Sequence, residues 1–460
     1  MATANLVKFP ESPLSNWRNY FRMQRDRLGF VRSIVRHGDF VQLRIGPFTA
    51  YFVSDPDLIR EVLVTHARKV VKGRGLERAK RLFGEGLLTS EGEHHLRQRR
   101  LSQPAFARQR LITYGAAMAE FTERYTQGLR DGEVRNLDRD LMRLTLAIAG
   151  KTLFDSDIER DAADVGQALD GFMRSFRFMM LPYLEYLEKL PLPPARRLRE
   201  SIATLDRIIY QMIAERRRSG RDHGDLLSML IAAHDEQGDG GRMTDQQLRD
   251  ECVTLMLAGH ETTANGLTWT LYLLSQYPKV EARLHAELDA VLGARLPTPA
   301  DLPRLPYTEK VFAESLRLYP PAWIMARRVI EPLPLGSHLL PVNSLVVMSP
   351  FVVHHDPRHY PSPERFDPEN FSPEAKAARH RFAYFPFSAG PRNCIGEGFA
   401  WAEGVLVLAS LARRCRFELA PHQQVVPEPL ITLRPRYGMR MRVVLRGPGT
   451  ARPVAAPAPA

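Results

Sequence analysis

Residues 385–401 read FPFSAGPRNCIGEGFAW. A single cysteine, Cys394, stands in a turn rich in glycine and proline, directly ahead of the apolar stretch Phe399 to Ala412, which only Glu403 and Gly404 interrupt. That stretch is too short and too broken for a membrane span and reads as a buried helix. The spacing Phe387-x-x-Gly390-x-Arg392-x-Cys394-x-Gly396 specifies five positions in ten. At average residue usage it arises by chance on the order of once in 10⁴ chains of this length, so a buried cysteine in an ordinary turn is a poor account of it. The other cysteines are Cys252 and Cys415. Three in a long chain make no disulfide framework and point to a reducing cytoplasm.

Working outward, the 460 residues are 44% hydrophobic and 25% charged, which fits a globular protein and excludes collagen-like, disordered and disulfide-scaffold classes. The N-terminus has no apolar h-region, and nowhere do about 18 uncharged apolar residues run together, so neither a signal peptide nor a membrane span is expected. The net charge of +12 comes mostly from arginines interspersed with acids, the pattern of a solvated surface rather than a nucleic-acid site.

The prolines crowd between Pro297 and Pro391, where long helices are hard to place. Phe40 to Val53 alternates around Gly46-Pro47 and reads as a hairpin. From Pro56 to about Ala290 the apolar spacing is helical. Ser344 to Val353 and Thr432 to Val444 have strand character. The expected fold class is mainly α with minor β-sheets. One large domain is expected over residues 1–446, followed by a low-complexity, disordered tail over 447–460.

Each residue of the cysteine segment has a task if Cys394 ligates a haem iron. A thiolate ligand donates electron density to iron and favours O–O cleavage, and it stays ionised when backbone N–H groups and a helix N-terminus surround it. Gly390 and Gly396 then allow close backbone approach to sulfur and porphyrin, Phe387 shields the thiolate, and Arg392 pairs with a propionate. The segment strongly resembles the haem-binding loop of the cytochrome P450 family. The resemblance extends over about residues 10–445 and implies the P450 fold, a noncovalent haem b with the Cys394 thiolate as axial ligand, and O₂ as co-substrate.

Three further constellations follow in the family's order. Thr244-Asp245-Gln246-Gln247 fits a capping box opening a helix of roughly 30 residues, with Ala258-Gly259-His260-Glu261-Thr262-Thr263 at its middle. A threonine hydroxyl bonding the carbonyl one turn back, here that of Ala258, loosens the helix and opens a groove. The resemblance assigns Thr262 to stabilising reduced dioxygen and Glu261 to proton delivery. Glu314-x-x-Arg317 shares one helical face, and with Arg365 in Pro363-Glu364-Arg365-Phe366 the resemblance implies a buried network of one carboxylate between two guanidinium groups. His95-x-x-x-Arg99 likewise shares a face, and by resemblance His95, Arg99 and Arg327 clamp the propionates, with Arg328 an alternative to Arg327.

Approximate alignment places Phe176, Leu255, Ala258, Ala322, Ile324 and Ile431 in the substrate pocket, with Phe176 in a methionine- and aromatic-rich patch over 172–186. A lipophilic substrate such as a fatty acid, terpenoid or steroid fits, and the expected reaction is hydroxylation or epoxidation by a haem-thiolate monooxygenase. Gly73-Arg74-Gly75 begins like a dinucleotide fingerprint but lacks its third glycine and a convincing preceding strand. Electrons are therefore expected from a separate ferredoxin or flavodoxin with its NAD(P)H-dependent reductase, docked on a basic face drawn from Arg97, Arg100, Arg108 and Arg110. The chain is expected to be a cytoplasmic, bacterial-type monomer. A peroxide-driven peroxygenase ranks second, because such members usually replace the acid–threonine pair. A non-enzymatic haem or nucleic-acid binding protein leaves the ordered motifs unexplained.

Overall fold

The protein is described from a computed structural model over residues 6–8, 15–45, 48–155, 164–169, 171, 175, 190, 192–235 and 240–447. Phe176, most of the aromatic patch around it and residues 448–460 of the expected tail lie outside the described residues.

Six helices position the site: α1 (Gly92–Ser102), α2 (Arg108–Gln127), α3 (Leu137–Phe154), α4 (Asp245–Gln276), α5 (Pro306–Leu318) and α6 (Glu397–Arg414). Helix α4 begins at Thr244, whose hydroxyl accepts from Gln247 N while Gln247 reaches back, the capping box read from the sequence. It is buried along most of its 32 residues, polar ones such as Arg249, Glu251 and Glu261 included, as a helix crossing the centre of a large domain is. Helix α6 is the apolar stretch after the cysteine, with Phe399 and Ala402–Ala412 buried. At Gly404 it crosses α5 so closely that an added Cβ would lie 2.2 Å from the Phe312 ring. A larger residue there would push the two helices apart.

The sheets are peripheral. Phe40–Ile45 and Phe48–Val53 form the expected antiparallel hairpin inside a six-stranded sheet whose order continues through Leu345–Met348 and Met325–Val329 to the edge strand Val70–Lys72. A smaller sheet joins Cys415–Leu419, Arg440–Leu445 and Val134–Asn136. Three expectations change. The strand character expected over 432–444 divides into Leu433–Pro435 and Arg440–Leu445, which belong to different sheets. The strand expected over 344–353 ends at Met348, because Ser349 caps a short helix, Pro350–Val353. A strand does precede Gly73, but it pairs antiparallel at a sheet edge, not as the parallel strand of a dinucleotide-binding βαβ unit.

Two adjacent histidines stand in the proline-rich region, and the buried one, His354, ties it to the cysteine segment, while the half-buried His355 bonds Phe351 O. His354 Nε2 accepts the Phe385 N–H at 3.1 Å, so that nitrogen carries no proton. Burial holds His354 well below the usual imidazole range and brings His355 down to about 3. Unfolded histidines take up a proton near pH 6.5, whereas these do so only in stronger acid, so the contribution is full above pH 6.5 and is lost as pH falls toward 3. At pH 4.5 His355 alone costs about 3 kcal/mol. Thermal unfolding midpoints are expected to decline steadily below about pH 6.5 and to decline less in His355→Phe. Equal declines in the two proteins would remove this histidine from the explanation.

Candidate haem and oxygen site

The cysteine turn is built by backbone bonds. Cys394 N donates to Phe387 O at 2.9 Å and Asn393 N to Gly390 O at 3.0 Å. Gly390 has φ +69°, and an added Cβ would sit 2.1 Å from the Leu63 carbonyl oxygen. Its constraint is therefore a crossing with the segment at Leu63, not the approach to sulfur and porphyrin expected from the sequence. Gly396 is the residue near sulfur: its backbone N–H bonds Cys394, and it stands at the N-terminus of α6. The Phe387 ring packs on Trp401 with centroids 5.7 Å apart.

Cys394 is exposed while Cys252 and Cys415 are buried. The surrounding protein nevertheless desolvates its thiol enough to push it up to about 11, against the Gly396 N–H and the Arg99 charge. The sulfur is thus reachable at the surface of the turn while protein atoms crowd around it. On α4, where both neighbouring runs are buried, Ala258 is exposed and Gly259 and Thr262 are half-buried. The Thr262 hydroxyl donates to Ala258 O at 2.9 Å, one turn back. The helix stays continuous there, so the loosening expected from the sequence does not break it. Glu261 is buried and accepts from the Thr432 hydroxyl at 2.5 Å.

A cluster of cations lies to one side. In the edge pairing Lys72 stands directly opposite Arg327, and both are buried. Like charges in that register are destabilising. Burial, then the charges of Arg392 and Arg327, bring Lys72 down to about 7. Burial with Arg392 lowers Arg327 to about 10, and burial with Arg392, Lys72 and Arg99 leaves His95 neutral, at about 3. Two acidic groups act on Lys72, Glu91 and the buried Glu251; Glu91 pairs with Arg392 and accepts the Lys72 backbone N–H. Lys72 Nζ makes do with the Leu87 and Ser90 carbonyls. Neither Lys72 nor Arg327 makes an ion pair among the described residues, and both line a small cavity with Arg392 and Leu63. This surplus of buried positive charge fits a ligand bearing carboxylates, as the two haem propionates are. The donor set beside an accessible cysteine therefore suits haem.

Individual side chains depart from the sequence reading. Arg99 donates to Asn393 O and Oδ1 at 2.8 and 2.7 Å, bracing the cysteine turn. Arg328 pairs with Glu77, so of these two neighbours it is Arg327 that stands among the buried cations. Glu314 and Arg317 are fully buried and paired twice, at 2.7 and 2.8 Å. Arg365 joins them through its carbonyl, which accepts from Arg317 Nη2 at 3.0 Å. Its own guanidinium is exposed and makes no ion pair among the described residues, so the second guanidinium expected around Glu314 is replaced by Asp367 N–H and Asn370 Nδ2. Of the substrate positions, Leu255 is buried, Ile324 and Ile431 are half-buried, and Ala322 is exposed. Arg97 and Arg100 are both drawn to Asp235 and Arg110 to Gly224 O. Arg108 is exposed. The sequence placed the loop from Lys72 and the turn ending at Thr432 only near the substrate; the place of Lys72 and Glu91 among the cations and the bond from Thr432 to Glu261 were missed, because a lone lysine, glutamate or threonine carries no spacing signal.

Among the described residues no helix is long and apolar enough to cross a membrane. A model of the cytochrome P450 family matches residues 14–439. Cyclooctatin synthase of Streptomyces melanosporofaciens is 40% identical, with 89% of this chain and 90% of that protein covered. Pentalenene oxygenase of Streptomyces avermitilis is 38% identical over 93% of this chain and 95% of its own length. A solved structure of retinoic acid-bound cyanobacterial CYP120A1 superposes with a TM-score of 0.81 over 93% of each chain at 24% identity, a likeness of fold.

Proposed function

Since the chain belongs to the cytochrome P450 family, and is therefore a haem-thiolate monooxygenase inserting one atom of O₂ into a lipophilic organic substrate, we propose that this substrate is a polycyclic terpenoid, hydroxylated at carbon. The reaction balances as R–H + O₂ + 2e⁻ + 2H⁺ → R–OH + H₂O. Two relatives at about two-fifths identity along almost the whole chain are named for terpenoid chemistry, and this supports the substrate class. The electrons come from a ferredoxin or flavodoxin and its NAD(P)H-dependent reductase in the cytoplasm, with Arg108 on the docking face.

The single observation that carries the site assignment is the accessible, desolvated sulfur of Cys394 at the start of α6. Haem bound there supplies two-electron activation of O₂ under a strongly donating sulfur. Cys394 holds the iron, and the Gly396 N–H and the α6 N-terminus stabilise its thiolate. Lys72, Arg327, Arg392 and neutral His95 hold the propionates, while Arg99 braces the loop through Asn393. Thr262 offers its hydroxyl at the accessible stretch of α4, and Glu261 holds and passes protons. Ala258, Ile324 and Ile431 orient the substrate. The intact Glu261–Thr262 pair favours oxygen-driven over peroxide-driven turnover.

Titrating the haem-loaded enzyme with pentalenene, testosterone and palmitate tests the substrate class. Pentalenene is expected to give the largest low- to high-spin conversion and, with a plant-type [2Fe–2S] ferredoxin and reductase, a product heavier by one oxygen. Tighter binding and turnover of palmitate would reassign the substrate to fatty acids.

A further inference from the structure

The turn after Leu430 is anchored on several sides. Trp323 Nε1 donates to Leu430 O at 3.1 Å, Trp269 Nε1 to Leu433 O at 3.0 Å, and Leu433 N to Pro321 O at 3.0 Å. Trp269 is fully buried and stacked on Tyr319 with centroids 4.1 Å apart, so these anchors have little freedom to move. Between them Thr432 lies buried against α4. Its oxygen accepts from Asn265 Nδ2 at 3.1 Å, and its hydroxyl donates to Glu261 Oε1 at 2.5 Å. A hydroxyl has one proton to give. Because Asn265 supplies a donor to the threonine oxygen, that proton is directed at Glu261. Glu261 and Asn265 are four residues apart and share one face of α4, so a single turn residue engages both.

We propose that Thr432 is a positioning residue for proton delivery, holding the Glu261 carboxylate in one orientation on the same turn that carries the substrate-facing Ile431. The proposal rests on the reading of Glu261 as the proton-passing group. A buried carboxylate deprived of a directed donor turns toward other partners, and the acid then no longer presents its proton in register with the reaction. Without substrate, O₂ has two outcomes: O₂ + 2e⁻ + 2H⁺ → H₂O₂, or O₂ + 4e⁻ + 4H⁺ → 2H₂O. The second needs protons delivered in order to one oxygen, and loss of positioning favours the first.

The test uses the haem-loaded enzyme without substrate, driven by NADPH through a plant-type [2Fe–2S] ferredoxin and its reductase. NADPH consumed per O₂ is read together with peroxide formed. Thr432→Val is expected to raise the peroxide-to-water ratio about tenfold, less than the roughly 10²–10⁴-fold that a placed acid–base group contributes because Glu261 itself is retained, with the reduced carbon monoxide spectrum unchanged. Thr432→Ser, which keeps the hydroxyl, is expected to restore the wild-type ratio. A wild-type ratio in Thr432→Val, or a Thr432→Ser protein as defective as Thr432→Val, would overturn the proposal. Glu261→Gln separates the two levels. If it too leaves the ratio unchanged, the reading of Glu261 fails and the positioning role with it; if it raises peroxide while Thr432→Val does not, only the positioning role fails.

Discussion

Cys394→Ser is expected to abolish the red-shifted Soret band of the reduced, carbon monoxide-bound protein and to reduce monooxygenase turnover to background, whereas Cys415→Ala keeps both. The two cysteines flank α6 and differ in what surrounds them. Cys415 opens the strand Cys415–Leu419, is 1% exposed and belongs to the main hydrophobic core. Burial pushes its thiol up to about 11, and a sulfur packed among core side chains has no room for a porphyrin plane. Its truncation removes one small buried group, at a cost of about 1 kcal/mol. Cys394 has the same elevated thiol, but it is accessible and receives the Gly396 N–H, and a bound metal deprotonates a thiol outright. Serine keeps the size and loses the electron donation on which O–O cleavage relies. If the Cys394→Ser protein retained the band, or Cys415→Ala lost it, the ligand assignment would move to Cys415.

Glu314→Ala should prevent accumulation of haem-loaded protein. Glu314 accepts four hydrogen bonds: two from Arg317, one from the Asp367 backbone and one from Asn370. Arg317 in turn donates to the carbonyls of His354, Pro363 and Arg365, so one ion pair fastens α5 to three points of the segment leading into the cysteine turn. Burial raises the Glu314 carboxyl while Arg317 opposes the rise, and the carboxyl is held as a carboxylate by its donors. Removing it strands a fully buried guanidinium, a loss of about 3–5 kcal/mol against a typical total of about 5–15 kcal/mol. The measurement is haem absorbance per unit of protein after purification, with Arg365→Ala as the comparison. Because Arg365 contributes only a backbone carbonyl to this network, its truncation is expected to leave haem content near wild type. A haem-replete Glu314→Ala protein would refute the anchoring role.

Much of this was legible along the chain because the signals are local. The capping box at Thr244, the i, i+4 bond from Thr262 to Ala258, the hairpin at Phe40–Val53 and the apolar run of α6 each depend on residues a few positions apart, where backbone geometry fixes the distance. The roles of Arg365 and Gly390 were not legible in the same way. Both lie in irregular segments, where sequence spacing does not say whether a side chain or its backbone faces the partner. Arg100 shows the same limit, since the carboxylate that engages it, Asp235, is distant in sequence.

By itself, the sequence determined the helix-dominated fold class, the helix that carries Glu261 and Thr262, and the cysteine turn, because periodicity, caps and motif spacing are short-range properties. Only the tertiary structure decided which buried cations face one another across the Lys72–Arg327 pairing, that Cys394 is accessible where Cys415 is packed, and that Thr432 reaches Glu261 across 171 residues of sequence. Those contacts arise when distant segments are brought together by burial of apolar surface, a non-directional force that leaves no local trace of which polar groups it will juxtapose.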